Sequence, residues 1–160
     1  YKLKTGKDYD TRGKIEIYKD LKITSKNTKI AVPPFLYYHE ENELFPLSGI
    51  SNAETVVCNE NGYYFIFKSD RYGFNNPDKE WDNENIEYIL VGDSFTMGQC
   101  VNRPNDIASV LRKLSKSSVL NLGYGGNGPL LQYATLREYF EIYAVSIPLL
   151  SLLSSNLKST

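Results

Sequence analysis

Apolar and polar positions along the chain follow two rhythms, and the change falls near residue 85. Before it, "GKIEIY", "TKIAV" and "ETVVCNENGYYFIF" are short runs rich in β-branched and aromatic residues, the pattern of strands. Asn61-Gly62 supplies the positive-φ turn that joins two strands of a hairpin. Residues 1–84 are thus expected to form a small antiparallel unit or a set of β arms, a β-rich region closed by a loop. That loop, "DRYGFNNPDKEWDNEN", is dense in Gly, Pro, Asn and Asp and reads as a connection over the surface. Residues 85–160 alternate instead. "IEYILVGD" is a near-continuous apolar run, as in a parallel strand buried on both faces. "RPNDIASVLRKLSK" then places Ile107, Val110, Leu111 and Leu114 at helical spacing, with Pro104 in the first turn. "SSVLNLG" is a second strand, "YGGNG" a glycine-rich loop, and "PLLQYATLREYF" a helix opened by Pro129. Strand, helix, strand, helix predicts an α/β fold with a parallel sheet and right-handed crossovers. Ligands bind such sheets outside the carboxyl ends of the strands, the edge where the loops around Ser94 and Gly126 both fall.

Composition narrows the function classes. The 160 residues, 41% hydrophobic and 23% charged, suit one domain with a small extension. A formal charge of −1 recommends neither nucleic acid nor an anionic membrane as partner. Charge is uneven, with nine Lys/Arg against four acids in residues 1–30 and three against twelve in residues 31–100. The basic start reads as a solvated edge. Cys58 and Cys100 are too few and too far apart to suggest a disulfide framework or a zinc site, and read as buried thiols. No metal or cofactor is expected. No stretch reaches the roughly 18 apolar residues that a membrane span needs. The compartment and the oligomeric state stay open. Aromatics in "GYYFIF" and "FLYY" are expected to pack a β core, the acids of "DKEWDNENIE" to sit in a solvated loop, and Trp81 to cover a sheet edge.

The sharpest chemistry lies in "GDSFTMG". A serine hydroxyl is a weak nucleophile, needing a base, an exposed position and donors aimed at the developing oxyanion. Gly92 allows a sharp turn after the strand, Ser94 starts the next segment, and Asp93 is placed to brace the turn through backbone amides. Thr96 stands where a GxSxG elbow has its second glycine, so the motif is not that of the α/β-hydrolases. "NLGYGGNG" offers N–H groups that a substrate approaches without meeting a side chain, although a plain strand-to-helix turn has the same look. It makes neither GxxxxGK[ST] nor GxGxxG.

Together, "ILVGDSFTMG" and, some thirty residues later, "VLNLGYGGNG" resemble the SGNH (GDSL-type) hydrolase and acyltransferase superfamily, with "DRYGFNNP" similar to a tract that many bacterial members carry upstream. The resemblance covers residues 70–140. It implies a three-layer α/β/α, flavodoxin-like sandwich, here incomplete and preceded by the β-rich region. It further implies that Ser94 is the nucleophile, that the N–H groups of Ser94 and Gly126 form the oxyanion hole, and that Asp93 and Asn121 support the loops. The implied activity is that of a serine esterase or O-acyltransferase acting on a small-molecule or glycan ester, such as an acetylated glycan.

The family also carries a third block with an oxyanion-donating Asn and a late block with Asp and His three residues apart. After "REYF" the chain reads "EIYAVSIPLLSLLSSNLKST", which has neither Asp nor His. Asn156 is the sole asparagine there and a poor stand-in. The sole histidine, His39, precedes Ser94 and sits beside Glu40 and Glu41, as a surface histidine would. The ending is expected to add no further sheet strand, leaving an open edge that favours self-association. Without its base the chain is expected to turn over little or no substrate. A catalytically silent module for binding or assembly is the alternative, and a small-ligand or phosphate-binding domain a weaker one.

Overall fold

The computed structural model describes residues 1–37, 45–140 and 149–151. A single helical turn, α1 (Lys2–Thr5), precedes α2 (Lys14–Thr24). "GKIEIY" therefore opens a helix and not a strand. Ile15 and Ile17 alternate, but Ile17 and Leu21 are also one helical turn apart, and Ile17 is the residue that is buried. The Glu16 carboxylate accepts from the Gly13 N–H at 2.7 Å, satisfying an end that the strand reading left out.

Three strands follow: β1 (Thr28–Ile30), β2 (Glu54–Cys58) and β3 (Phe65–Lys68). They form a sheet in the order β1-β2-β3, parallel between β1 and β2 and antiparallel between β2 and β3, so the unit is mixed and not purely antiparallel. Gly62, at φ 79°, turns the hairpin. Phe65 and Phe67 are buried and stack at 5.6 Å, whereas Phe35 and Leu36 of "FLYY" lie exposed in a 3-10 turn (Pro34–Tyr37), outside any β core.

The tract expected to run over the surface is instead among the most buried in the molecule. Asp70, Phe74, Asn75 and Asn76 are at most 1% exposed, and Glu80 and Trp81 are buried within a second 3-10 turn, Asp78–Asp82. Turn-forming residues fold here onto one another. Asp70 accepts from the N–H groups of Tyr72 and Phe74, both at 2.9 Å, and from Asn76 Nδ2 and Trp81 Nε1, both at 2.8 Å. The loop carries its own hydrogen-bond partners inside, and that is what lets its backbone be buried. Trp81 joins the core, packing with residues of the second half's strands.

The second half contains β4 (Tyr88–Val91), α3 (Ser94–Met97), α4 (Ile107–Ser115), β5 (Val119–Asn121), α5 (Pro129–Phe140) and β6 (Leu149–Ser151). β4 pairs in parallel with both β5 and β6, giving the order β5-β4-β6. The ending thus does add a strand, and β4 is central. Leu90 and Val119 pack with Ala108 and Leu111 of α4, while Ile89, Val91, Leu120 and Leu122 pack with Leu136 and Tyr139 of α5. The two helices therefore cover opposite faces, and the chain is α/β.

α4 differs from its sequence pattern in two ways. Pro104 lies in the turn before it, and Asp106 is the cap, accepting from Ser109 N–H at 3.0 Å. Ala108 is the fully buried contact, while Ile107, Val110 and Leu114 remain exposed. The reason is Arg112, whose guanidinium turns inward to the Val119 carbonyl and Asn76 Oδ1 and lies 3.5 Å from Glu80. Burial lowers the Arg112 pKa while Glu80 opposes the shift. Ala108, Leu111 and a paired arginine make the sheet-facing side, and the rest of the apolar stripe faces outward.

Cys58 and Cys100 are not free thiols. They form a disulfide with a Cα–Cα distance of 5.6 Å, across a sequence separation of 42 that said nothing about proximity. A cluster of Val57, Phe65, Phe67, Met97 and Tyr124 likewise joins the first sheet to the loops of the second half. Among the described residues no helix is long and apolar enough to cross a membrane.

Candidate active site

β4 runs out at Gly92, and the chain turns into α3, a single turn of helix that begins at Ser94. Asp93 is its N-cap, with Oδ1 accepting from Phe95 N–H at 3.1 Å. Gly98, at φ 73°, ends it. So short a helix leaves carbonyls without internal partners, and two buried asparagines take them. Asn121 Nδ2 donates to the Thr96 carbonyl at 2.7 Å, and Asn75 Nδ2 to the Met97 carbonyl at 2.9 Å. The other end of the Asn121 amide accepts from Gly123 N–H at 2.9 Å. One buried side chain thus clamps the serine turn to the glycine loop. Asn76 adds a second tie, bonding both the N–H and the carbonyl of Asn121 at 2.9 Å.

The loops also touch directly. A Cβ on Gly123 would stand 2.5 Å from Met97 N and 2.6 Å from Thr96 Cβ, so only glycine permits this approach. The Tyr124 N–H reaches the Gly92 carbonyl at 3.2 Å, carrying the sheet ladder past the end of β4. Gly126 then adopts φ 89°, a conformation that a side chain strains, facing Pro33 and Phe35.

Between these loops lies an open cleft of about 240 Å³, lined by Ser94, Gly125, Gly126, Tyr124, Lys14 and Phe35 among others. Burial raises the Tyr124 pKa, so its phenol stays protonated, donating to the Val32 carbonyl at 3.4 Å. A second cleft, about 350 Å³, opens on the other side of Ser94 against Phe95, Glu60, Asn105 and Asp106. Ser94 is half-buried at the ridge between the two. Among the described residues, neither its hydroxyl nor its N–H has a protein partner, nor does the N–H of Gly126. Ser94 and Gly126 thus line one cleft, and the Ser94 hydroxyl and the two backbone N–H groups keep their hydrogen-bonding capacity unspent among the described residues.

All four residues singled out from sequence, Asp93, Ser94, Asn121 and Gly126, come together here, because both loops follow adjacent parallel strands. His39 and Asn156 lie outside the described residues, and no described residue is a histidine. Asn75, Asn76 and Gln99 belong to the same site and were missed. The signal for the first two was the Asn-Asn pair inside a tract so rich in turn formers that it passed for solvent-exposed loop. Among the described residues, no group of three or more His, Cys, Asp or Glu could hold a metal ion. Compared with known proteins, the chain matches no family model, no curated protein and no solved structure.

Proposed function

We propose that this is an SGNH-type serine ester hydrolase or O-acyltransferase domain, acting on an ester such as an acetylated glycan. The observation that carries the reading is the unpaired Ser94 hydroxyl sharing one cleft with Gly126, with the N–H groups of both residues free. In the reaction, Ser94 Oγ bonds to the acyl carbon and gives up its proton to a base. The carbonyl oxygen takes the negative charge, facing the N–H groups of Ser94 and Gly126. The ester C–O bond then breaks, the alcohol leaves with a proton, and water or a second alcohol takes the acyl group from the serine. Each oxyanion donor is worth about 2.7–4 kcal/mol of barrier. Asp93 and Asn121 hold the loops and take no part in the bond changes.

Two further features support the reading. The order β5-β4-β6 is that of the first three strands of a flavodoxin-like 2-1-3-4-5 sheet. Its switch point, where the connections reverse direction, lies at the end of β4, and Ser94 follows that end. The Cys58–Cys100 disulfide suits a domain working in an oxidising compartment.

A silent binding module is the second reading, favoured by the Ser94 hydroxyl having no base hydrogen-bonded to it among the described residues. A fluorophosphonate probe separates them. The esterase reading expects covalent labelling of the protein and its loss in Ser94→Ala. An unlabelled wild-type protein at its full natural length leaves the silent module standing.

A further inference from the structure

We propose that Gln99 is the side-chain donor of the acyl-carbonyl site, adding its Nε2–H to the backbone amides of Ser94 and Gly126. The inference rests on the ester-processing reading of Ser94 and deepens it.

Gln99 is fixed from both directions. Its N–H donates to the Ser94 carbonyl at 2.9 Å, and the next residue, Cys100, is crosslinked to β2. Its side chain then reaches across to the glycine loop. A Cβ on Gly125 would clash with Gln99 Oε1, so the amide packs against the bare face that this glycine presents. With Oε1 set against Gly125, the NH2 is the other branch of the same planar group. Among the described residues, that NH2 has no hydrogen-bond partner. Gln99 is also, with Ser94, one of two residues that line both clefts. A half-buried amide with unspent donors, held beside the serine where the clefts meet, is placed for a ligand oxygen. A neutral donor fixed before the reaction stabilises a developing oxyanion without reorganising and without a charge to lose.

The test is the rate at which an alkyl fluorophosphonate labels the full-length protein. Ser94 Oγ forms a bond to phosphorus, fluoride leaves with the P–F electron pair, and the hydroxyl proton passes to base or solvent. The phosphoryl oxygen takes the place of the acyl oxygen. Gln99→Met keeps length and shape without a donor or a charge, and Gln99→Ala removes the side chain. Both are expected to label about 100-fold more slowly than wild type, with unchanged melting temperature. A wild-type rate in Gln99→Ala overturns the proposal. A slow Gln99→Ala beside a wild-type rate in Gln99→Met assigns packing, and also overturns it. If wild type is not labelled at Ser94, the reading of the serine itself fails and the role of Gln99 falls with it.

Discussion

Asp70 shows how much of this structure is decided by one side chain. Its carboxyl is fully buried and receives four donors, two from its own loop backbone, one from Asn76 and one from Trp81. Through Asn76 it is linked to Asn121, and through Asn121 to the serine turn. Burial pushes the Asp70 carboxyl above its ordinary value of 3.8, while the four donors pull it back. A raised native pKa means that the folded chain takes up this proton at a pH where the unfolded chain has already lost it. Asp70 therefore adds stability as pH falls through its native value, and its contribution is flat below the ordinary one. Asp70→Asn removes the titration and turns an amide N–H toward donors, at a cost of about 1.5–3 kcal/mol. Urea unfolding of both proteins from about pH 7 down to about pH 4 is expected to show the wild-type advantage widening as pH falls. A pH-independent gap would contradict the assignment.

At the scale of elements, what was legible depended on whether a pattern had one structural solution. β4, β5 and α5 were readable because a strand buried on both faces and a proline-opened helix leave little choice. α2 was not, since two isoleucines two apart fit a strand and a helix equally until burial selects Ile17. α4 misled for another reason: only Leu111 of its apolar stripe packs on the sheet, beside Ala108 and a half-buried Arg112 whose partners are Asn76, Glu80 and Val119. The glycine loop and serine turn could be placed on one edge from topology alone. Their clamp could not, because it is built from asparagines of a tract that composition marks as surface.

The disulfide belongs to this scale, joining the end of β2 to the segment after α3. Closing a loop across a separation of 42 residues is worth about 4 kcal/mol in the chain-entropy account. Chemical denaturation with and without a phosphine reductant is expected to show a loss of this order, matched by Cys58→Ser under oxidising conditions. Identical midpoints would mean that the crosslink constrains nothing the fold does not already fix.

Over the whole molecule, the two halves meet at the candidate site. The first sheet and the 3-10 turn at Pro34–Tyr37 supply one wall of the Ser94 cleft, the α/β sheet supplies the serine and the glycine loop, and the disulfide and the Met97–Tyr124 cluster hold them together. A β-rich start that read as an appendage in sequence thus forms part of the cleft wall in three dimensions. The central claim is that this shared cleft exists to hold an acyl group on Ser94. Its most direct test is to pulse the full-length protein with an activated acetyl ester, quench with acid, and map the acylated residue by peptide mass spectrometry. The account predicts an acetyl group on Ser94, absent in Ser94→Ala and depleted in Gly126→Ala. Acetylation confined to lysines or tyrosines, equal in wild type and Ser94→Ala, would contradict it.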